Sequence, residues 1–364
     1  MGEGADASGW SGRRVLVTGH TGFIGGWLTH ALLARGALVS GYANNVPTTP
    51  SLFEATGLAT RVADHRGDIA DFDALADVLA HEQPEVVFHL AAQPLVRRAF
   101  AEPLETYRAN VMGTLTLLEA LRRAPSAGAA VLMTTDKVYR NHEWIWPYRE
   151  SDALGGHEPY GLSKAMAELA IAQYRETYLS AARCDGNPPL RLVAVRAGNV
   201  IGGGDWSEDR LVPDAVRAWS RGETLAIRSP ASTRPWQHVL DVVDALLRIA
   251  DRARAANAPL AEAYNVGPDG ESVVPVGRLV ERLGAHWGDG ARVKVEQPGW
   301  AAPESRLLAL DSTLFRGDFG WRSRWPIEES IARTVAWYRA HAIGPAAATR
   351  ETERQIREHG DGGV

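Results

Sequence analysis

Residues 13–27, "RRVLVTGHTGFIGGW", constrain the fold of this chain more than any other stretch. A short apolar run ends in a turn that carries Gly19, Gly22 and Gly25, and a helical stretch follows. Glycines spaced this way between a strand and a helix let the backbone approach a pyrophosphate, which then sits at the positive helix N-terminus. A tight turn needs glycine on its own account, so the weight comes from the context of strand before and helix after. The alternation continues. "ALVSGYA", "RVADHRGDI", "PEVVFHLAA" and "AAVLMTT" read as strands, while "DFDALADVLAHEQ" and "PLETYRANVMGTLTLLEALRRA" have helical spacing. Such alternation indicates a parallel sheet with helices on both faces. The expected fold is α/β, a Rossmann-type doubly wound parallel sheet with a smaller, interleaved C-terminal substrate lobe.

Past residue 150 the pattern persists through "SKAMAELAIAQYRETYL" and "LRLVAVRAGNV", then gives way to loop-rich sequence with many Gly, Pro and Trp. The expected organisation has a loose leader at 1–12 and a dinucleotide-binding domain at 13–200. Segments near 236–268 return to that domain, 201–235 and 269–345 form the lobe, and 346–364 is a tail.

Composition excludes several classes. With 364 residues, 45% hydrophobic and 23% charged, the chain has room for a large core. A net charge of -5 gives no broad attraction to nucleic acid or membranes. One cysteine, Cys184, rules out a disulfide framework and fits a reducing compartment. The opening "MGEGADASGWSGRR" lacks the order of a signal peptide. No apolar run approaches the ~20 residues of a membrane span. The expected location is cytoplasmic. No His, Cys, Asp or Glu grouping has metal-ligand spacing, and no Gly-x-Ser-x-Gly elbow occurs.

Two features carry chemistry. The strand "AAVLM" stops at Thr134, Thr135, Asp136 and Lys137, an acid beside an amine. Of 39 Lys plus Arg only Lys137, Lys164 and Lys294 are lysines, so a lysine here suggests a task that arginine cannot perform, such as releasing a proton. The bland alternative is a surface ion pair worth ~0–1 kcal/mol. Downstream, "PYGLSKAMAEL" puts Tyr160 and Lys164 on one helical face. A phenol with a reference pKa near ~10 is a poor base, and a neighbouring ammonium favours its phenolate. The end of the second strand, "SGYANN", offers no acid for ribose hydroxyls and no arginine for a 2′-phosphate. Asp68 could hold an adenine edge or cap the next helix. His89 reads as a core histidine, and the tryptophans of "EWIWPY" as loop core or as an active-site lid.

The glycine turn, "TTDK" and the Tyr160–Lys164 pair resemble the extended short-chain dehydrogenase/reductase family of nucleotide-sugar enzymes. Within it the chain is similar, over nearly its whole length, to the branch that dehydrates CDP-glucose. "AAQPLVRRAF", "NVMGT", "EWIWPYRESDALGGHEPY", "RAGNVIGGGDW", "DRLVPD" and "RPWQHVL" carry that likeness. Three places depart from the family: Ile24 stands where lysine is frequent, "GLSK" replaces serine-asparagine-serine-lysine, and "APESRLLALD" lacks a His-Glu-Ala.

The resemblance implies NAD as cofactor, a CDP-glucose substrate, a homodimer through the two long helices, and conversion of the sugar to a 4-keto-6-deoxy product with loss of water. It implies a cofactor site at Gly19, Thr21, Gly22, Phe23, Ile24, Gly25, Asp68, Ile69, Leu90, Ala91, Ala92, Asn110, Thr134, Tyr160 and Lys164. It implies sugar-nucleotide contacts from Gln93, Arg97, Asn199, Arg210, Arg234 and His238, with Arg234 on the diphosphate. In the chemistry so implied, Tyr160 takes the 4-hydroxyl proton, Lys164 supports it and Thr135 orients the oxygen. Asp136 and Lys137 share an acid and a base role. A protonated Asp136 with a neutral Lys137 is one assignment and the reverse is the other. Two alternatives use the same fold: a nucleotide-sugar epimerase or a dehydratase of another nucleotide-sugar, and a non-catalytic NAD-sensing or scaffold protein.

Overall fold

The structure, a computed structural model, describes residues 9–179, 189–255, 258–268, 270–296 and 307–361. Cys184, Pro303 and Glu304 lie outside the described residues. A seven-stranded sheet is built from β1 (Arg14–Thr18), β2 (Leu38–Ala43), β3 (Ala63–Arg66), β4 (Val86–His89), β5 (Ala129–Met133) and β6 (Arg191–Ala197), with β10 (Ala263–Val266) at one edge. Between β6 and β10 lie β7 (Asn199–Ile201), β8 (Thr224–Ile227) and β9 (Thr233–His238). The sheet order is β10-β6-β5-β4-β1-β2-β3, and every pairing in it is parallel. Its central strands are apolar runs such as "VLV" and "VVF", buried on both faces, as helix-covered parallel strands must be. The doubly wound sheet expected from the alternation is what forms.

The helices preceding β5 are α1 (Phe23–Ala34), α2 (Leu52–Ala55), α3 (Phe72–Glu82), α4 (Val96–Ala101), α5 (Pro103–Tyr107) and α6 (Gly113–Arg122). After β5 come α7 (Pro159–Tyr174), α8 (Leu211–Ser220), α9 (Val239–Arg254), α10 (Val276–Trp287), α11 (Thr313–Phe319), α12 (Ile327–Ile343) and α13 (Pro345–Asp361). β7 pairs with β9 and β9 with β11 (Val273–Pro275), while β8 pairs with β12 (Arg292–Val295), giving two small sheets beside the large one. Among the described residues, no helix is long and apolar enough to cross a membrane.

Three expectations need correction. The stretch "PLETYRANVMGTLTLLEALRRA" is not one regular helix: α5 and α6 flank a π-turn at Arg108–Met112. Such a widened turn redirects side chains. Here it delivers Asn110 to the Gln93 backbone and to Ser163 of α7. The leader is not loose at its end. Trp10 is 1% exposed, its ring lies 6.0 Å from that of Phe88, and its indole N–H donates to Asp251 at 3.1 Å. The polar "tail" is α13. Ala348, Thr352 and Gln355 are fully buried against the body, and His359 pairs with Asp241 of α9 at 2.9 Å. Its polarity is one-sided, which a reading of composition alone misses.

Trp10 therefore ties the N-terminal segment to both β4 and α9. Trp10→Ala is expected to cost ~3–5 kcal/mol of stability, as a large-to-small core change does. Urea unfolding checks this, and a midpoint equal to that of the parent would refute the anchoring role.

Candidate active site

Parallel strands all end on one side, and at that edge lies a cavity of about 890 Å³. Its floor is the turn between β1 and α1. Gly19 sits at φ +74°, and a Cβ on Gly25 would lie 2.1 Å from the Gly19 carbonyl oxygen, so only glycine closes this turn. Thr21 donates to the Asn45 carbonyl at 2.7 Å and fixes the turn to the chain beyond β2. Gly19, Thr21, Gly22, Phe23, Ile24 and Gly25 all line the cavity, as do Ile69, Leu90, Ala91 and Ala92. The Thr18 hydroxyl accepts the backbone N–H groups of Leu90 and Ala91, both at 3.2 Å, which holds the β4 exit against the turn. A backbone cradle with no side chain in the way, opening on a helix start, fits a dinucleotide pyrophosphate.

At the outer end, Asp68 borders the cavity, accepts from the Ala70 N–H at 2.9 Å and pairs with Arg108. It does not cap the next helix, because Asp71 does. Asn44 and Asn45 line the same end. Their amides stand where an acid was sought after β2, and the "NN" pair was the available signal.

The candidate reactive residues come from two adjacent starts. β5 ends in a short 3-10 turn, Asp136–Val138, capped by the Thr135 hydroxyl. α7 begins with Pro159 in its first turn and Glu158 as its cap, whose carboxylate accepts the N–H groups of Tyr160 and Gly161, both at 2.7 Å. Gly161 explains one departure from the family pattern: a Cβ there would lie 2.6 Å from the Lys137 carbonyl oxygen. So the two starts are pressed together. Thr135, Asp136, Lys137, Tyr160 and Lys164 all line the cavity.

Asp136 is 1% exposed, so the pair with Lys137 is not a surface bridge. Its Oδ1 accepts from Lys137 Nζ at 3.0 Å and from the Thr135 hydroxyl at 3.1 Å, while Oδ2 is buried with no hydrogen-bond partner. Burial pushes the Tyr160 phenol up to about 12, against a Thr135 hydrogen bond and the positive charge of Arg210, which lower it. The cation that lowers the phenol here is Arg210. Lys164 donates to the Met133 carbonyl at 3.1 Å, and burial lowers it to about 8 against the pull of Glu168.

Gln93, Arg97, Asn199, Arg210 and Arg234 line the cavity. Arg97 pairs with Asp209 at 2.8 Å, and Arg228 reaches the same carboxylate at 3.2 Å. Arg228, Asp209 and Glu158 are cavity residues the sequence reading missed. Glu158 was legible as an acid preceding Pro-Tyr at a helix start; the other two sit in loop and strand-end positions without pattern.

Two expected residues are elsewhere. His238 is fully buried, caps α9 by accepting from the Leu240 N–H at 3.2 Å, and stacks edge-on to Trp325 at 4.6 Å. Burial, then the charges of His359 and Arg333, hold its pKa well below the usual imidazole range. Asn110 is fully buried outside the cavity, its amide spent on Gln93 and Ser163. Thr134 borders the cavity, but its hydroxyl donates away from it to Glu168 at 2.6 Å. His89 is a core residue between Thr18 and Thr114, and burial holds it near 3. The tryptophan loop is neither core nor cavity wall: Trp144, Ile145 and Trp146 are exposed, with Trp144 stacked on Tyr148 at 5.4 Å.

The chain is similar to known proteins along most of its length. It is 43% identical to the CDP-glucose 4,6-dehydratase of Salmonella typhimurium over 340 residues, 93% of this chain and 94% of that protein. It is 31% identical to the dTDP-glucose 4,6-dehydratase of Streptomyces antibioticus, covering 92% and 98%. Among solved structures, TunA, an NAD-dependent NDP-hexosamine 5,6-dehydratase, matches with a TM-score of 0.74 at 26% identity, covering 90% of this chain and 98% of TunA. MoeE5 in complex with UDP-glucuronic acid and NAD matches with a TM-score of 0.74 at 28% identity, covering 90% and 99%. The profile of one family spans residues 15–267, from the first strand through β10, and takes in both the glycine cradle and the Tyr160–Lys164 helix: the chain belongs to the NAD dependent epimerase/dehydratase family.

Proposed function

We propose that the protein dehydrates CDP-glucose to CDP-4-keto-6-deoxyglucose, with NAD lying along the glycine cradle and the sugar at Thr135, Asp136, Lys137 and Tyr160. The observation that carries this is the acid–amine pair of a buried Asp136 and a half-buried Lys137, lining the same cavity as Tyr160. An epimerase needs a hydroxyl base but has no elimination to catalyse. The greater likeness to the CDP-glucose enzyme than to the dTDP-glucose enzyme supports cytidine as the base.

Bound NAD would supply the hydride acceptor, its reduced form the donor, and its nicotinamide ring a positive charge beside Tyr160. The chain's own residues do the proton work. Tyr160 takes the 4-hydroxyl proton at its phenolic oxygen, and Thr135, already hydrogen-bonded to that phenol, orients the sugar oxygen. A 4-ketone acidifies the C5 proton. Moving one proton across the 3.0 Å contact turns the Lys137–Asp136 ion pair into a neutral amine and a carboxylic acid. Lys137 Nζ then takes the C5 proton while Asp136 protonates the leaving 6-hydroxyl. The unpartnered Oδ2 gives that carboxyl a free face for the 6-oxygen. Arg210 and Arg234 supply positive charge for the diphosphate, in a lobe formed by residues 201–235 and 269–345.

The reading extends to a cytoplasmic homodimer. Leu104, Met112, Leu162, Met166 and Leu169 leave large apolar side chains exposed on α5, the π-turn and α7, a surface suited to the same helices of a second copy. Sedimentation equilibrium is expected to give twice the 39.4 kDa chain mass, and Leu169→Glu to give the chain mass. A parent protein sedimenting at the chain mass at micromolar concentration would exclude the dimer.

Turnover tests the substrate. Incubation with a panel of nucleotide-glucoses and NAD, followed by mass analysis, is expected to show loss of one water from CDP-glucose with no net NADH. A higher kcat/KM on another nucleotide-glucose would overturn the base assignment, and net NADH would indicate a simple dehydrogenase.

Isotope exchange tests the roles. Lys137→Ala is expected to retain the first hydride transfer but lose C5 deuterium uptake in heavy water. Lys137→Arg should fail nearly as badly, because a guanidinium does not release its proton. Asp136→Asn, which cannot take the Lys137 proton, should slow C5 exchange and also loss of the 6-hydroxyl, the latter by ~10²-fold or more, as removal of a general acid does. Fast exchange in Lys137→Ala would move the base role to Asp136.

A further inference from the structure

We infer that Glu168 is a positioning residue for Lys164: with Arg196 it forms a buried charge pair that keeps the Lys164 amine an ammonium beside Tyr160. The inference deepens the dehydratase reading and rests on it only for the use of Lys164 in the reaction.

α7 puts Glu168 one turn beyond Lys164, on the same face. Lys164, Glu168 and Arg196 are each 5% exposed or less. Among the described residues the ammonium has a single hydrogen-bond acceptor, the Met133 carbonyl at 3.1 Å. A buried ammonium with one neutral partner is poorly stabilised and tends to lose its proton. Glu168 is the charge that opposes this. Yet Glu168 makes no bond to Lys164. Arg196 Nε donates to both of its oxygens, at 2.9 and 2.8 Å, and Thr134 donates to Oε1 at 2.6 Å. Arg196 is itself held by the Tyr139 hydroxyl at 2.8 Å and the Glu150 carbonyl at 3.0 Å. Glu168 thus acts on Lys164 through its field, while Arg196 keeps the carboxylate from collapsing onto the amine. That leaves Nζ on the Met133 carbonyl at the cavity edge.

The groups facing this amine are few. Tyr160 and Glu168 share its helix. His89 on β4 feels its charge and stays neutral, and Arg196 on β6 lies against Glu168. In this surrounding burial lowers the Lys164 amine and Glu168 opposes it, while Arg196 holds the Glu168 carboxylate.

Three lysines in the whole chain make the amine directly observable. Protein labelled with ¹⁵N at lysine Nζ, without cofactor or substrate, is expected to give three side-chain signals, assigned with Lys137→Arg and Lys294→Arg. The Lys164 signal should titrate near 8 in the parent. Glu168→Gln should move that midpoint down by about one pH unit, and Arg196→Gln should move it up. Breaking one side of a buried pair can prevent folding. The double variant Glu168→Gln/Arg196→Gln removes both charges together, and it should titrate below the parent because Glu168 acts on Lys164 the more strongly. The alkaline limb of kcat/KM on CDP-glucose should follow each midpoint. A midpoint unchanged in Glu168→Gln or in the double variant, or lowered in Arg196→Gln, overturns the inference. Midpoints that move as stated in a protein inactive on CDP-glucose would uphold it and refute the substrate assignment.

Discussion

The contact on which everything else depends is the approach of two backbones at the edge of the sheet, where the start of α7 meets the turn that leaves β5. Gly161 stands against the Lys137 carbonyl with no room for a side chain. Because these segments touch, a tyrosine and lysine from a helix share one cavity with a threonine, an acid and an amine from a strand end. Neither set would do much alone. Burial pushes the Tyr160 phenol up to about 12, so the site in isolation favours a neutral tyrosine, and positive charge must be brought to it before it can act as a base.

Much of the fold was legible because its signals are local. A strand, a glycine turn and a helix announce themselves within fifteen residues, and a two-sided buried strand has to be apolar throughout. That four of the residues proposed to react share one cavity was legible for the same reason: Tyr160 and Lys164 are four apart on one helix, and Asp136 and Lys137 end one strand. What failed was whatever depends on distant partners. His238 shares its strand parity with the cavity residues Arg234 and Trp236, but it ends β9 as the cap of α9 and its ring packs on Trp325. Asn110 sits in a π-turn that no spacing rule foretells, and its amide goes to backbone and Ser163 instead of a ligand. Trp10 and α13 looked peripheral because their partners, Asp251 and Asp241, are more than a hundred residues away.

The charges of the site are arranged in layers. Asp136 and Lys137 face the cavity as an acid hydrogen-bonded to an amine. Behind them Lys164, Glu168 and Arg196 alternate in sign through a nearly dry region, where an unpaired member would be costly. Farther back, Tyr139, Asn265 and Tyr148 continue the hydrogen bonds to the loop that carries the exposed tryptophans. The chemistry at the front therefore rests on a polar network in which each carboxylate and guanidinium is already engaged.

Helix α13 carries a consequence for how the molecule is made. Its buried face covers α12, and His359 closes on Asp241, a residue of α9 that supports the sheet. A nascent chain that has exported every strand of the sheet but not residues 345–361 would leave that carboxylate uncovered and the underlying apolar surface wet. Synthesis runs from the N-terminus, and domains close as units. The sheet and its catalytic edge are thus specified early, yet the core beneath them seals only when a segment far from the cavity arrives. During that interval the growing chain would be a client for chaperones, although every side chain that lines the cavity has already left the ribosome.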